Sequence, residues 1–482
     1  MKCALVIPSW LPQDVFPAKT AGSQLNYWQP VGTLYVASSL LKAGHEVKFI
    51  DGAFLSHEAI LDALAEFGAR WVGIYSTTFG WTQAARTAAD VKRRLPGAFV
   101  CAGGPYPVAA RERSLAEAPG FDAAVTGEGE RTVVEIVERL ERGRGLDGVQ
   151  GVAIRDGARI VPDAPRPLET DLDALPFPAR QLLGEAHRYL PPPAMYRRSP
   201  VAVMLTSRGC NRRCIFCFQL DRERKSGIRY RSVESVLEEI ELCLRQGYRE
   251  IKFIDDTFAE DRDRAMRLAL EIKRRRLDFT WFASACVNQV DPELLRAFRD
   301  AGCWAILFGV ESGVQKNLRT LRKGTTLEQI RNAVAWAKAA GLSVQTTFVL
   351  GIPGETYAEG LETIAFACEL APDRASFHAI APFPGTDLHD RASEYGTLSD
   401  DLRDFTYQGA AFVPHTMTRD ELRDLRRRAY RTFYSRPGYL LRRLASLGRE
   451  SDLSAAFKSA KSLFWLWAKR DALDVKTTAT RR

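Results

Sequence analysis

Over most of the chain, short apolar runs alternate with segments in which apolar residues recur every three or four positions. Strands joined by amphipathic helices give this pattern. Within residues 1–145 the runs Cys3–Pro8, Val47–Ile50, Trp71–Ser76, Phe99–Ala102 and Ala123–Val125 predict five strands. A helix over Leu34–Lys42, ended by Gly44, and another over Thr82–Leu95, stopped by Pro96, fall between them. The result is a doubly wound, flavodoxin-like Rossmann module, where ligands bind beyond the carboxyl ends of the strands. Those ends carry Ser76-Thr77-Thr78, Gly103-Gly104-Pro105 and Gly127-Glu128-Gly129-Glu130. Small residues there let a large ligand approach the backbone. No GxGxxG follows the first strand, so a dinucleotide fits poorly. Taken alone, the module is also compatible with a scaffolding or regulatory domain.

Residues 146–198 read as a linker. It contains a hairpin over Gly151–Gly157 with an Asp-Gly turn, then the Pro-rich stretches Pro162–Pro178 and Pro191-Pro192-Pro193. From residue 199 to about 395 the strand–helix alternation repeats six times. The strands are Val201–Leu205, Ile251–Asp255, Thr280–Ala285, Ala305–Val310, Val344–Leu350 and Ala375–Ile380. Ser232 and Gly247 bracket one helix, Asp291-Pro292 and Gly302 another, Thr326 and Gly341 a third. Six parallel units predict a partial barrel, (β/α)6, with chemistry at the carboxyl ends of its strands. Residues 396–482 read as helices. Tyr430, Phe433, Tyr434, Leu440, Leu441 and Leu444 are expected to form an apolar wall over the barrel mouth. Ser462–Arg470 mixes aromatics with cations; a packed helix is favoured over membrane contact.

Composition narrows the class. A 482-residue chain with 46% apolar residues and no apolar run approaching a bilayer span reads as a multidomain globular protein. Nine cysteines, odd in number and mostly scattered, argue against a secreted disulfide framework and for a reducing cytoplasm. The net charge of +9 invites a nucleic-acid reading. However, the basic runs Lys273–Arg276 and Arg426–Arg428 have acidic neighbours in helical patterns, so no nucleic acid is expected.

The chemistry concentrates after the first barrel strand, where Cys210, Cys214 and Cys217 form a CxxxCxxC triad. Three thiolates can hold three irons of a cubane cluster and leave the fourth open, whereas an electron-transfer cubane uses four cysteines. A structural zinc site wants four ligands, and the nearest other Cys or His residues are His187 and Cys243. Three further motifs end later strands: Ile254–Phe258, Gly309–Gly313 and Val349–Glu355. The remaining cysteines in this half, Cys243, Cys286, Cys303 and Cys368, lie in helix or strand patterns and read as buried thiols.

The triad, with Phe216 before its last cysteine, resembles the cluster loop of the radical SAM superfamily, where S-adenosylmethionine (SAM) chelates the open iron. The resemblance implies that Asp255 and Asp256 replace the usual Gly-Gly-Glu-like turn that binds the SAM amino group. It places Glu311 and Ser312 near the SAM carboxylate and ribose, and Gly351 and Pro353 near adenine. Combined with the N-terminal module, Leu175-Pro176-Phe177-Pro178 and Pro382–Thr386, the chain is similar to the cobalamin-binding branch. Within that branch it looks most like the anaerobic magnesium-protoporphyrin monomethyl ester cyclases. That implies a [4Fe-4S] cluster, SAM and cobalamin as cofactors, the cobalamin at Ser76, Thr77, Thr78, Gly103, Gly104, Gly127, Glu128, Gly129 and Glu130. The Asp-x-His-x-x-Gly motif is missing, so the implied cobalamin is base-off, without a lower histidine.

The reaction implied is methyl transfer to an unactivated carbon of a small molecule, with hydrophobic molecules among the candidates. A SAM-derived radical would activate that carbon, and a flavodoxin or ferredoxin would supply electrons. Oxidative cyclisation on a tetrapyrrole or lipid, and a non-catalytic corrinoid sensor, are the alternatives. No cysteine follows Cys368 and only Cys3 and Cys101 precede the triad. The auxiliary-cluster and methylthiotransferase types therefore do not fit.

Overall fold

A computed structural model describes residues 1–10, 27–162, 164–192, 195–406 and 409–446, with side chains to residue 441 in the last helix. The chain divides into two compact units. One holds the first strand, Pro30–Glu185 and Phe218–Arg229; the other holds Ala186–Cys217 and the chain from Tyr230 onward.

The first unit is a seven-stranded sheet. Its strands are β1 (Lys2–Ile7), β2 (Glu46–Asp51), β3 (Trp71–Tyr75), β4 (Phe99–Gly103), β5 (Ala123–Val125), β6 (Val152–Asp156) and β7 (Arg159–Val161). Their order is β2-β1-β3-β4-β5-β6-β7. β1 to β5 are parallel in the 2-1-3-4-5 flavodoxin order, while β6 and β7 add antiparallel. The hairpin expected in the linker is therefore part of the sheet, and the unit runs past residue 145. The reason is pairing: Ala123, Ala124 and Val125 at the end of the parallel sheet bond to Ile154, Ala153 and Val152. Helices α1 (Val31–Lys42), α2 (His57–Phe67), α3 (Trp81–Arg94) and α4 (Gly129–Glu141) cover it. Leu34, Ala37 and Leu40 of α1 and Val133, Ile136 and Val137 of α4 are buried against it.

In the second unit β8 (Val201–Met204), β9 (Glu250–Phe253), β10 (Thr280–Ala285), β11 (Cys303–Glu311), β12 (Ser343–Leu350) and β13 (Arg374–Ala379) pair in chain order. All neighbours are parallel, and β8 and β13 are the two edges of the sheet, which gives the open barrel expected. Local chemistry sets the helix starts. Ser232 Oγ accepts from Ser235 N, and Thr326 and Thr356 form reciprocal capping boxes with Gln329 and Glu359. The core is aromatic, with Phe253, Phe258, Trp281 and Phe298 packed ring to ring.

Tyr430, Phe433 and Tyr434 lie on α5 (Arg419–Tyr434). They do not wall off the barrel mouth. The Tyr430 hydroxyl accepts from Phe377 N, and the Tyr434 hydroxyl accepts from Ala375 N and donates to Ala375 O. Phe433 packs on Phe377. The helix thus satisfies the backbone of edge strand β13, which would otherwise offer unpaired groups to another chain. Leu440 and Leu441 are exposed. The side chain of Leu444 and the segment Ser462–Arg470 lie outside the described residues.

Five of the seven residues in the basic runs form these ion pairs: Lys273 with Asp300, Arg274 with Glu271, Arg275 with Glu241, and Arg427 and Arg428 with Asp424. Among the described residues no helix is long and apolar enough to cross a membrane.

Candidate functional site

The cluster loop leaves β8 and is tied at once to β9. Asp255 Oδ1 accepts from Thr206 N (3.0 Å), Thr206 Oγ1 (2.8 Å) and Ser207 Oγ (2.5 Å). Arg264, which the sequence did not single out, donates to Thr206 O (3.0 Å) from the other side. Asp255 is 4% exposed, and burial pushes its carboxyl above the usual range. Its second oxygen, Oδ2, is buried and meets no donor in the fold. A buried carboxylate oxygen of this kind suits the ammonium of SAM. Asp256 is exposed, and its charge acts on Cys210.

Cys210 is buried, Cys214 half-buried and Cys217 exposed. Arg212 N donates to Cys210 Sγ at 3.4 Å. Burial pushes the Cys214 thiol up to about 11, and the three thiols act electrostatically on one another. Among the described residues no three His, Cys, Asp or Glu side chains converge as a single metal ion requires. A cluster with one thiolate per iron spreads its donors, and three thiols on one loop fit that need.

Glu311 ends β11 in the left-handed region, φ 66°, uncommon for a residue with a side chain. Its buried carboxylate pairs with the half-buried Lys323 Nζ at 2.6 Å. Ser312, expected at the SAM site, is turned inward instead. It is fully buried, and its hydroxyl is shared among Thr363 Oγ1 (3.1 Å), Val314 N (3.1 Å) and Asn317 Nδ2 (3.3 Å). Asn317 also donates to Glu355 Oε1 (3.0 Å), while Glu355 Oε2 accepts from Gly351 N (2.6 Å) and Ile352 N (3.2 Å).

One buried network thus joins the turn after β11 to the turn after β12. Asn317 and Thr363 gave no sequence signal of this, because the bonds Asn317–Glu355 and Ser312–Thr363 span 38 and 51 positions. Gly351 and Pro353 lie in the second turn, Gly351 at φ 79°. Ile352 shares an apolar cluster with Ile215, Phe216 and Leu321, so the cluster loop packs on this turn.

In the first unit the turns after β3 and β4 lock together. Ser76 N donates to Gly103 O (2.8 Å), and Tyr106 N to Ser76 O (3.2 Å). A Cβ on Gly104, φ 99°, would sit 2.7 Å from Ser76 O, so the turn requires glycine. Thr78 O accepts from Trp81 N and opens α3, while a Cβ on Gly103 or Gly127 would meet nothing within 4 Å. Backbone turns with no side chain above them fit a flat, bulky ligand such as a corrin.

The two carboxylates expected at the corrin have neighbours within the unit. Glu128 is bound to both Arg229 nitrogens (2.9 Å each) and to Glu169 N. Glu130 lines a 440 Å³ groove with Ser39, Lys42 and Arg166. Gly129 sits at the start of α4, close to Val36. The unit's histidines are engaged too: His45 with the terminal amine of Met1, His57 with Asp90 at 2.7 Å.

A three-thiol loop after the first strand of an open parallel barrel, with a buried acceptor at the next strand end, defines the radical SAM class of fold. The Radical SAM superfamily profile matches residues 204–367, and the B12 binding domain profile residues 20–137. An uncharacterized methyltransferase of Pyrococcus horikoshii is 34% identical over 92% of this chain and 94% of its own. The anaerobic magnesium-protoporphyrin IX monomethyl ester cyclase of Rubrivivax gelatinosus is 29% identical over 86% and 75%. The solved structure of OxsB, a cobalamin-dependent SAM radical enzyme with aqua-cobalamin and SAM bound, covers 96% of this chain and 70% of OxsB. It superposes with a TM-score of 0.74 at 17% identity, a likeness of fold.

The chain belongs to the cobalamin-binding radical SAM enzymes, and its cofactors are a [4Fe-4S] cluster, SAM and cobalamin.

Proposed function

We propose that the protein transfers a methyl group from SAM to an unactivated carbon of a small molecule. The observation that carries this reading is the near full-length likeness to a relative named as a methyltransferase. When bound, the cluster supplies the electron that cleaves SAM, and cobalamin supplies a carrier for the methyl group.

The chain's own residues do the holding. Cys210, Cys214 and Cys217 ligate the cluster. Asp255 fixes the start of the loop through Thr206 and Ser207, and its second oxygen, left without a donor, would accept from the SAM ammonium. Glu311 and the Gly351–Pro353 turn bound the nucleoside, kept in register by Ser312, Asn317 and Glu355. The turns at Ser76–Thr78, Gly103-Gly104 and Gly127 would seat the corrin. The partners are a one-electron donor of the flavodoxin or ferredoxin class and a small-molecule substrate, in a reducing cytoplasm.

The likeness to a cyclase supports a second reading, oxidative ring formation. The two differ in how SAM is consumed. Methyl transfer uses one SAM as methyl donor and one as radical source, so S-adenosylhomocysteine and 5′-deoxyadenosine form in equal amounts. Cyclisation yields 5′-deoxyadenosine alone. Anaerobic turnover of a metabolite extract with methyl-deuterated SAM, read by mass spectrometry, decides. Deoxyadenosine without S-adenosylhomocysteine or a deuterated metabolite overturns methyl transfer.

A further inference from the structure

Lys323 lies in a tight turn after the short helix Gln315–Thr320, with Arg322 and Gly324 both left-handed, φ 52° and 68°. This turn is docked to the cluster loop at several points. Leu321 O accepts from Ile215 N, the residue after Cys214, at 3.2 Å. Asn288 accepts from Arg212 of the cluster loop (2.6 Å) and donates to Gly324 O (3.4 Å). The turn therefore carries Lys323 to the Cys214 side of the loop, and its charge acts on the Cys214 thiol.

Three observations show that the lysine is built in rather than incidental. It is 13% exposed, where an unpaired ammonium would be strongly disfavoured. Its partner Glu311 holds a strained backbone conformation to meet it. Beneath the pair, a Cβ on Gly309 would stand 2.5 Å from Glu311 Oε1 and 2.8 Å from Lys323 Nζ, so a side chain there would displace the ends of both as they are now placed. A buried ion pair contributes little net stability, because desolvation offsets most of the attraction. Strain, a side-chain-free strand position and burial together point to function.

We infer that Lys323 is a positioning residue that sets the reduction potential of the cluster, with Glu311 offsetting part of its field. This rests on the assignment of the cluster to the triad. Accepting one electron from the external donor adds one negative charge to the cluster. A cation held on the Cys214 side of the loop, in a low-dielectric site, would stabilise that reduced state. The carboxylate, held to one side by the same pair, acts in the opposite sense. The pair therefore tunes how readily the cluster is reduced, beyond any contact Glu311 makes with SAM.

The test compares anaerobically reconstituted full-length wild type, K323M, K323R and E311Q, without SAM, by iron analysis and an EPR-monitored redox titration. The expected result is near-equal iron, a potential shifted negative in K323M, close to wild type in K323R, and shifted positive in E311Q. Coincident potentials at equal iron overturn the inference. So does a shift of K323M and E311Q in the same direction, which marks loosened packing rather than charge. If K323M takes up no iron, E311Q decides alone, and an unshifted value there overturns it. Failure of the triad assignment shows separately, as a full cluster in a protein whose three cysteines are replaced.

Discussion

The strand ends of the two units solve the same problem by opposite means. In the barrel they are built from side chains: Asp255, Glu311, Ser312, Asn317 and Glu355 are buried or nearly so and bonded to one another's turns. In the N-terminal sheet the corresponding ends are backbone and glycine, and the carboxylates nearby are turned to Arg229 or to a lateral groove. SAM carries an ammonium, a carboxylate and hydroxyls, so its site needs charged partners at fixed positions. A corrin presents a broad face, so its site needs room and a rigid floor. Polar networks held in a low-dielectric interior tolerate few substitutions, whereas a glycine in a closed turn such as Gly104 tolerates few additions.

Replacing Cys210, Cys214 and Cys217 together by alanine should have the largest effect. Iron should fall from about four per chain to near zero, with loss of SAM cleavage and unchanged corrinoid retention, by metal analysis and absorbance. Loss of corrinoid in the same variant would break the contrast by showing that the two sites depend on each other.

Next in size is a pH effect within the barrel. Burial pushes the Glu355 carboxyl up to about 7 from an ordinary 4.5. The fold then holds a proton that the unfolded chain releases above 4.5. Stability from this group is full below that value and is lost as pH rises through about 7. The span is roughly 3 kcal/mol. In E355Q the denaturation midpoint should lose this downward slope between pH 5 and 7; an unchanged slope would show the carboxyl to be ordinary.

The N-terminal counterpart is G104A. The added Cβ meets Ser76 O at 2.7 Å in a left-handed conformation, costing about 1–3 kcal/mol. Corrinoid retention should drop while iron content stays at the wild-type level. Full retention would mean that the turn is not part of the seat.

The smallest expected effect is none. H57A should leave the Co(II) EPR spectrum unchanged and free of nitrogen splitting, because His57 is held by Asp90. Nitrogen splitting lost in that variant would place an imidazole under the cobalt.

Much of this was legible in the residues. The alternating pattern carried both parallel sheets, because buried strands and capped helices leave strong local signals such as Ser232, Asp291 and Thr326. The triad was legible since loop ligands sit close in sequence. The later boundary of the first unit was not, because β6 and β7 look like any hairpin until they pair with β5. Nor was the place of Tyr430 and Tyr434, whose hydroxyls matter only beside an unpaired edge.

The sequence by itself determined the class: two α/β units, a three-thiolate loop and glycine-rich strand ends without a corrinoid histidine motif. These are short-range features, fixed by neighbours within a few positions. Only the tertiary structure decided which polar groups the fold consumes and which, like Asp255 Oδ2, it leaves without a donor. It turned Ser312 and Glu128 away, tied Asp255 to the cluster loop, and brought Lys323 to Glu311 over Gly309. The physical reason is that a side chain's role follows from the partners available within about 3 Å. Those partners come from strands and turns that the chain separates and only folding brings together.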